Sequence, residues 1–119
     1  HATAEALKDA PGLQGVGARL DAGIAALERA TDWVLAHKGP DALVAATPYL
    51  KLAGDVIGGW MLGKQALATA AGTSDWAKSK SAIARLYASQ VLTGAPGLAD
   101  GLTDGAAELE AVEAEALLA

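Results

Sequence analysis

Residues 49–68 read YLKLAGDVIGGWMLGKQALA, a leucine- and alanine-rich segment that also holds Gly54, Asp55, Gly58, Gly59 and Gly63. Each glycine inside a helix costs about 1 kcal/mol relative to alanine. Four of them need a compensating gain. A transmembrane segment is one reading, since spaced small residues let helices pack closely in a bilayer. Lys51, Asp55 and Lys64 interrupt the apolar run well short of the roughly 20 residues a span requires. A ligand groove beside Gly58 and Gly59, with Asp55 at its polar edge, is a second. Phosphate-binding glycines follow a strand and open a helix, whereas these lie within a helical pattern, and GLQGVG at 12–17 fails the same test. The third reading is packing. Gly54 and Gly58 are four apart, as are Gly59 and Gly63, so each pair shares a helical face that a neighbouring helix can approach closely. Lys51, one turn before Asp55, pairs with it at the surface edge. Packing accounts best for the segment and places it inside a helical bundle.

The rest of the chain fits that class. Its 119 residues suit one domain, and 52% are hydrophobic, mostly alanine and leucine, with no phenylalanine. Strand formers nowhere alternate. Leu13, Val16, Leu20, Ile24, Leu27 and Val34, with Thr31 between the last two, recur at three- and four-residue steps and predict a helix to about Lys38. Pro40-Asp41 opens a second helical pattern to about Ala71. Pro48 within it implies either a kinked continuous helix, which is favoured, or a short turn before a main helix capped by Thr47. Ser74 is an N-cap for a third helix, carrying Trp76, Ile83, Tyr87 and Val91 on one face. After the break TGAPG at 93–97, Leu98, Leu102, Gly105, Leu109, Val112 and Ala116 mark a fourth. The expected architecture is an all-α antiparallel four-helix bundle over residues 13–119. Residues 1–12 form a leading segment, read as a fifth, loosely held helical turn, and an expression-tag remnant is one origin open for His1.

Composition also excludes chemistry. Without cysteine there is no disulfide, thiolate nucleophile or cysteine metal site. The net charge is −5, and every charged residue from Asp100 onward is acidic. No basic face suits nucleic acid, and no Lys/Arg-rich amphipathic helix suits a membrane surface. Glu108, Glu110, Glu113 and Glu115 read as a solvated face. Arg85 is a candidate anion contact, more simply a partner for a carboxylate on a neighbouring helix. Ser79, Ser81 and Ser89 have no histidine nearby in sequence, and His37 is explained by its place at a helix end. No catalytic, cofactor-binding or metal-binding residue is assigned.

TPYLKLAGDVIGGWMLGKQALA (47–68) followed by KSKSAIARLYASQVL (78–92) resembles the extra C-terminal region of one branch of the acyl-CoA dehydrogenases, which includes the 3-methylmercaptopropionyl-CoA dehydrogenases. The positions that carry the resemblance are Tyr49-Leu50, Gly54, Gly59-Trp60, Lys80 and Ala84-Arg85-Leu86-Tyr87, within a similarity over roughly residues 13–110. One departure is Thr93-Gly94-Ala95, which intervenes before Pro96 where the family commonly has an earlier proline. The resemblance implies a bacterial, cytoplasmic, FAD-dependent parent that removes hydrogens from the α and β carbons of an acyl-CoA thioester. Its glutamate base and flavin ligands belong to preceding domains. The chain itself is then a non-catalytic structural domain that packs on the catalytic body or on another subunit, with no cofactor of its own, no nucleic acid and no membrane. The alternative is a free-standing helical interaction module without an enzymatic parent. Trp33, Trp60 and Trp76 are the residues expected to mark an interaction surface, with Trp33 partly exposed.

Overall fold

The computed structural model describes residues 1–37 and 40–111, which form α1 (Ala2–Asp9), α2 (Gln14–Ala36), α3 (Pro40–Thr69), α4 (Asp75–Gln90) and α5 (Ala95–Ala111), with a short 3₁₀ turn at Leu92–Gly94. The all-α bundle expected from the sequence is present, and its four long helices match the four apolar patterns. Pro48 sits within α3 without ending it, so 40–69 is one helix. Ser74 caps α4 as expected, its hydroxyl accepting a bond from the Ala77 amide at 3.1 Å. α5 begins earlier than the expected Leu98. The 3₁₀ turn runs directly into Ala95, and Pro96 falls in the first helical turn, where a missing N–H is tolerated. The expected continuation of its stripe at Val112 and Ala116 lies outside the described residues, and Leu109 outside the described side chains.

Small side chains dominate the interior. α2 buries Gly23, Ala26 and Ala30, α4 buries Ala77, Ala84 and Ala88, and α5 buries Ala95 and Ala99. Among large side chains, Leu7, Leu13, Leu20, Leu52 and Leu92 are fully buried. This arrangement corrects the reading of α4. The face that carries Trp76 and Ile83 is not the one that meets the core: both are exposed, as an interaction-marking Trp76 requires, and the alanine row beside them faces inward. A helix that presents alanines comes closer to its neighbours than one presenting tryptophan. Tight backbone approach here replaces the burial of bulk.

α1 is held firmly. Ala4 and Leu7 are fully buried, and Gly17 of α2 lies so close that a Cβ there would stand 2.7 Å from the Lys8 backbone nitrogen and 2.8 Å from the Ala4 carbonyl oxygen. Lys8 ties the two helices further, donating to Asp21 at 3.0 Å. Arg29 joins α2 to α5 through Asp100 at 2.9 Å.

Candidate functional site

The glycines of α3 make room for three different neighbours. A Cβ on Gly58 would lie 2.6 Å from the Tyr87 hydroxyl of α4, one on Gly59 would lie 2.8 Å from both terminal methyls of Leu92, and one on Gly63 would lie 2.8 Å from a Leu7 methyl. The groove that a small ligand would need beside Gly58 and Gly59 is therefore filled by the chain's own side chains. Gly54 is different: nothing lies within 4 Å of its Cβ position. Packing within the chain explains Gly58, Gly59 and Gly63 and leaves Gly54 unexplained.

Asp55 pairs with Lys51 at 2.9 Å, as its spacing predicts. The Tyr87 hydroxyl donates to the Asp55 backbone carbonyl at 2.7 Å, locking α4 onto α3. Burial, and then the Asp55 charge, raises the Tyr87 phenol above its ordinary value of 10.0, with Lys51 acting the other way. Ser79 and Ser89 donate to carbonyls of their own helix, those of Trp76 and Leu86. The His37 ring donates from Nδ1 to the Trp33 carbonyl at 2.8 Å and stacks on the half-buried Trp33 indole with centroids 4.1 Å apart. The partial exposure expected for Trp33 is observed. Arg85 has no carboxylate partner among the described residues, contrary to the expected ion pair. With Arg19 it lines an open pocket of about 220 Å³ beside Gly12, Gly15, Val16 and Ala88. Glu108 is exposed with Asp100 and Asp104, whereas Glu110, Glu113 and Glu115 lie outside the described side chains. Among the described residues no three metal-ligating side chains converge, no polar side chain is buried, and no helix is long and apolar enough to cross a membrane.

The distinctive surface is the outer face of α3 and α4. Leu50, Ile57, Trp60 and Met61 on α3, with Trp76, Ile83 and Leu86 on α4, are between 41% and 70% exposed. Leu50, Ile57 and Met61 follow the seven- and four-residue steps of one helical face, and Gly54 lies in that row. Tyr87 beside Asp55 and Lys80 beside Gln65 set the antiparallel register, which brings Met61 and Ile83 to one level. Two of the tryptophans carry lysines over their rings, Lys64 on Trp60 at 4.6 Å and Lys80 on Trp76 at 5.2 Å. Sequence reasoning named Trp60 and Trp76 as surface markers but did not gather Leu50, Ile57, Met61, Ile83 and Leu86 into one face with them. The exposed pairing of Trp with Lys four residues on was the available signal.

Residues 1–113 match the family model described as acetyl-CoA dehydrogenase C-terminal like. The chain belongs to this family. The match agrees with the resemblance to acyl-CoA dehydrogenases at the family level, and it starts at residue 1, so the leading helix lies within it. No curated protein and no solved structure matches the chain. As a C-terminal domain of the acyl-CoA dehydrogenase family, the chain implies further domains in a parent protein. The flavin that the resemblance implies for a parent finds no fit among the described residues: their pockets are open hollows of about 220 to 500 Å³, and none of them buries a polar side chain that could hold an isoalloxazine edge or a pyrophosphate.

Proposed function

We propose that this chain is the non-catalytic C-terminal structural domain of an FAD-dependent, cytoplasmic acyl-CoA dehydrogenase-like oxidoreductase of the 3-methylmercaptopropionyl-CoA type, and that it packs on the rest of its parent enzyme. The exposed apolar face of α3 and α4 carries this reading. Contiguous apolar surface rimmed by polar groups is the mark of a contact with another folded surface. Lying beside a close-packed interior that needs none of those side chains, the face serves something outside the domain. Acyl-CoA oxidation belongs to the preceding region, because a base and a flavin need a closed, polar-lined cavity, and the described residues of this bundle form none.

The test is to purify the 119-residue chain and its parent side by side. The isolated chain is expected to be colourless and inactive toward acyl-CoA thioesters, and the parent yellow and active with an artificial electron acceptor. A yellow isolated chain retaining one flavin per chain through gel filtration overturns the structural reading. A parent gene with no flavoenzyme region upstream overturns the enzymatic one.

A further inference from the structure

The charges of the bundle are divided between its two sides. Helices α3 and α4 carry five lysines and arginines against three carboxylates, while α2 and α5 carry two arginines against seven carboxylates. The chain is acidic overall, so Lys64 and Lys80, which stand beside the exposed apolar row, are set apart from that background. Lys51 is already matched by Asp55, but Lys64, Lys78 and Lys80 make no ion pair among the described residues. Lys64 and Lys80 lie over indole rings, at the edge of the apolar row rather than away from it.

From this geometry we infer that the α3–α4 face docks on the preceding region of the parent chain, at a surface that is apolar in the middle and lined by carboxylates. The inference rests on the reading of the chain as a C-terminal domain and adds which face turns inward and what it meets. A second copy is the poorer occupant. Two-fold pairing through the same face sets Lys64 and Lys80 against their own equivalents, and like charges brought together across an interface are unfavourable. Gly54 supports the same orientation. Its notch in the apolar row serves no neighbour within the chain, so a close-approaching partner surface is what it accommodates. The acidic side, α2 and α5, then faces water.

The test uses the intact parent protein and a zero-length carbodiimide, which joins lysine amines to carboxylates in direct contact. Cross-links are expected from Lys64 or Lys80 to aspartates or glutamates of the preceding region. Amide exchange over residues 53–64 is expected to be at least about tenfold slower in the parent than in the isolated chain. Lys64→Glu with Lys80→Glu should abolish the cross-links and the extra protection. Gly54→Leu has open space within the bundle and leaves the isolated domain folded, yet should remove the protection in the parent. Cross-links confined to Lys8, or equal exchange in both forms, overturn the inference. So do cross-links between copies in a mixture of ¹⁴N- and ¹⁵N-labelled parent, which make a second copy the occupant. Protection gained only on vesicles of anionic phospholipid makes it a membrane, again against the proposal. A parent that shows the expected cross-links but binds no flavin keeps this docking and removes only the flavoenzyme reading.

Discussion

A methyl group added at Gly59 would sit 2.8 Å from two Leu92 methyls and 3.1 Å from its Cγ, in a core where Leu92 is 1% exposed. Leu92 has nowhere to withdraw. Gly59→Ala is therefore expected to destabilise the bundle by about 1–3 kcal/mol through overpacking, despite alanine's better helix propensity. Gly54→Ala meets nothing and should stabilise the isolated chain by about 0.5–1 kcal/mol. Thermal melts of the two variants separate packing from propensity. Equal melting temperatures would show that Gly59 is not a contact point. Tyr87 provides a second measurement. Tyr87→Phe removes its bond to the Asp55 carbonyl and should cost about 1 kcal/mol at neutral pH. The phenol's value is raised in the folded state, so folding favours its neutral form. That contribution is complete below the unfolded value near 10 and is lost as pH rises through the raised folded value. The parent sequence should thus lose stability in that alkaline window faster than Tyr87→Phe does, and parallel curves would contradict the assignment.

Among the elements, α1 has the most specific seat. Gly17 meets the backbone of α1 rather than a side chain, and a backbone cannot rotate away as a leucine tip can. Gly17→Ala should push α1 off α2 and open Leu7 and Gly63 to water together, since Leu7 fills the space at Gly63. A loss of about 2–4 kcal/mol is expected, and amide exchange of residues 4–9 should rise with that of residues near Gly63. Exchange confined to α1 would mean that it is bound independently of α3. The four long helices were legible because Leu13 to Leu27, the Ser74 cap and the Gly-Pro breaks are local signals that tertiary packing did not override. The inward face of α4 was not legible. Periodicity weights Trp76 and Ile83 above Ala77 and Ala84, but bundle helices that approach through glycine and alanine turn their small row inward. The role of Gly17 was hidden for a similar reason: it serves a contact with a segment whose helix is only eight residues long. Nor did the sequence show which glycine in α3 faces outward, since Gly54 and Gly58 share a face but only Gly58 reaches the edge that meets Tyr87.

At the scale of the whole molecule, the division of charge makes an unusual statement about association. Excised from its parent, the bundle presents Leu50, Met61, Trp76 and Leu86 to water, each more than half exposed, and burial of such side chains drives self-association. Symmetric pairing through that face is opposed by Lys64 and Lys80 meeting their equivalents. Salt screens this repulsion over a Debye length that falls from about 30 Å at 0.01 M to about 3 Å at 1 M, while apolar attraction persists. The isolated chain should accordingly be monomeric in low salt and associate as sodium chloride is added, which sedimentation velocity would follow. Screening of the net charge of −5 would favour association as well, so salt dependence alone does not locate the repulsion. Lys64→Gln with Lys80→Gln separates the two causes. It makes the chain more acidic, and if net charge governed association the onset would move to higher salt. If the lysine rim governs it, removing two cations from the face should move the onset to lower salt. An onset that moves upward, or stays where it was, would place the contact away from α3 and α4.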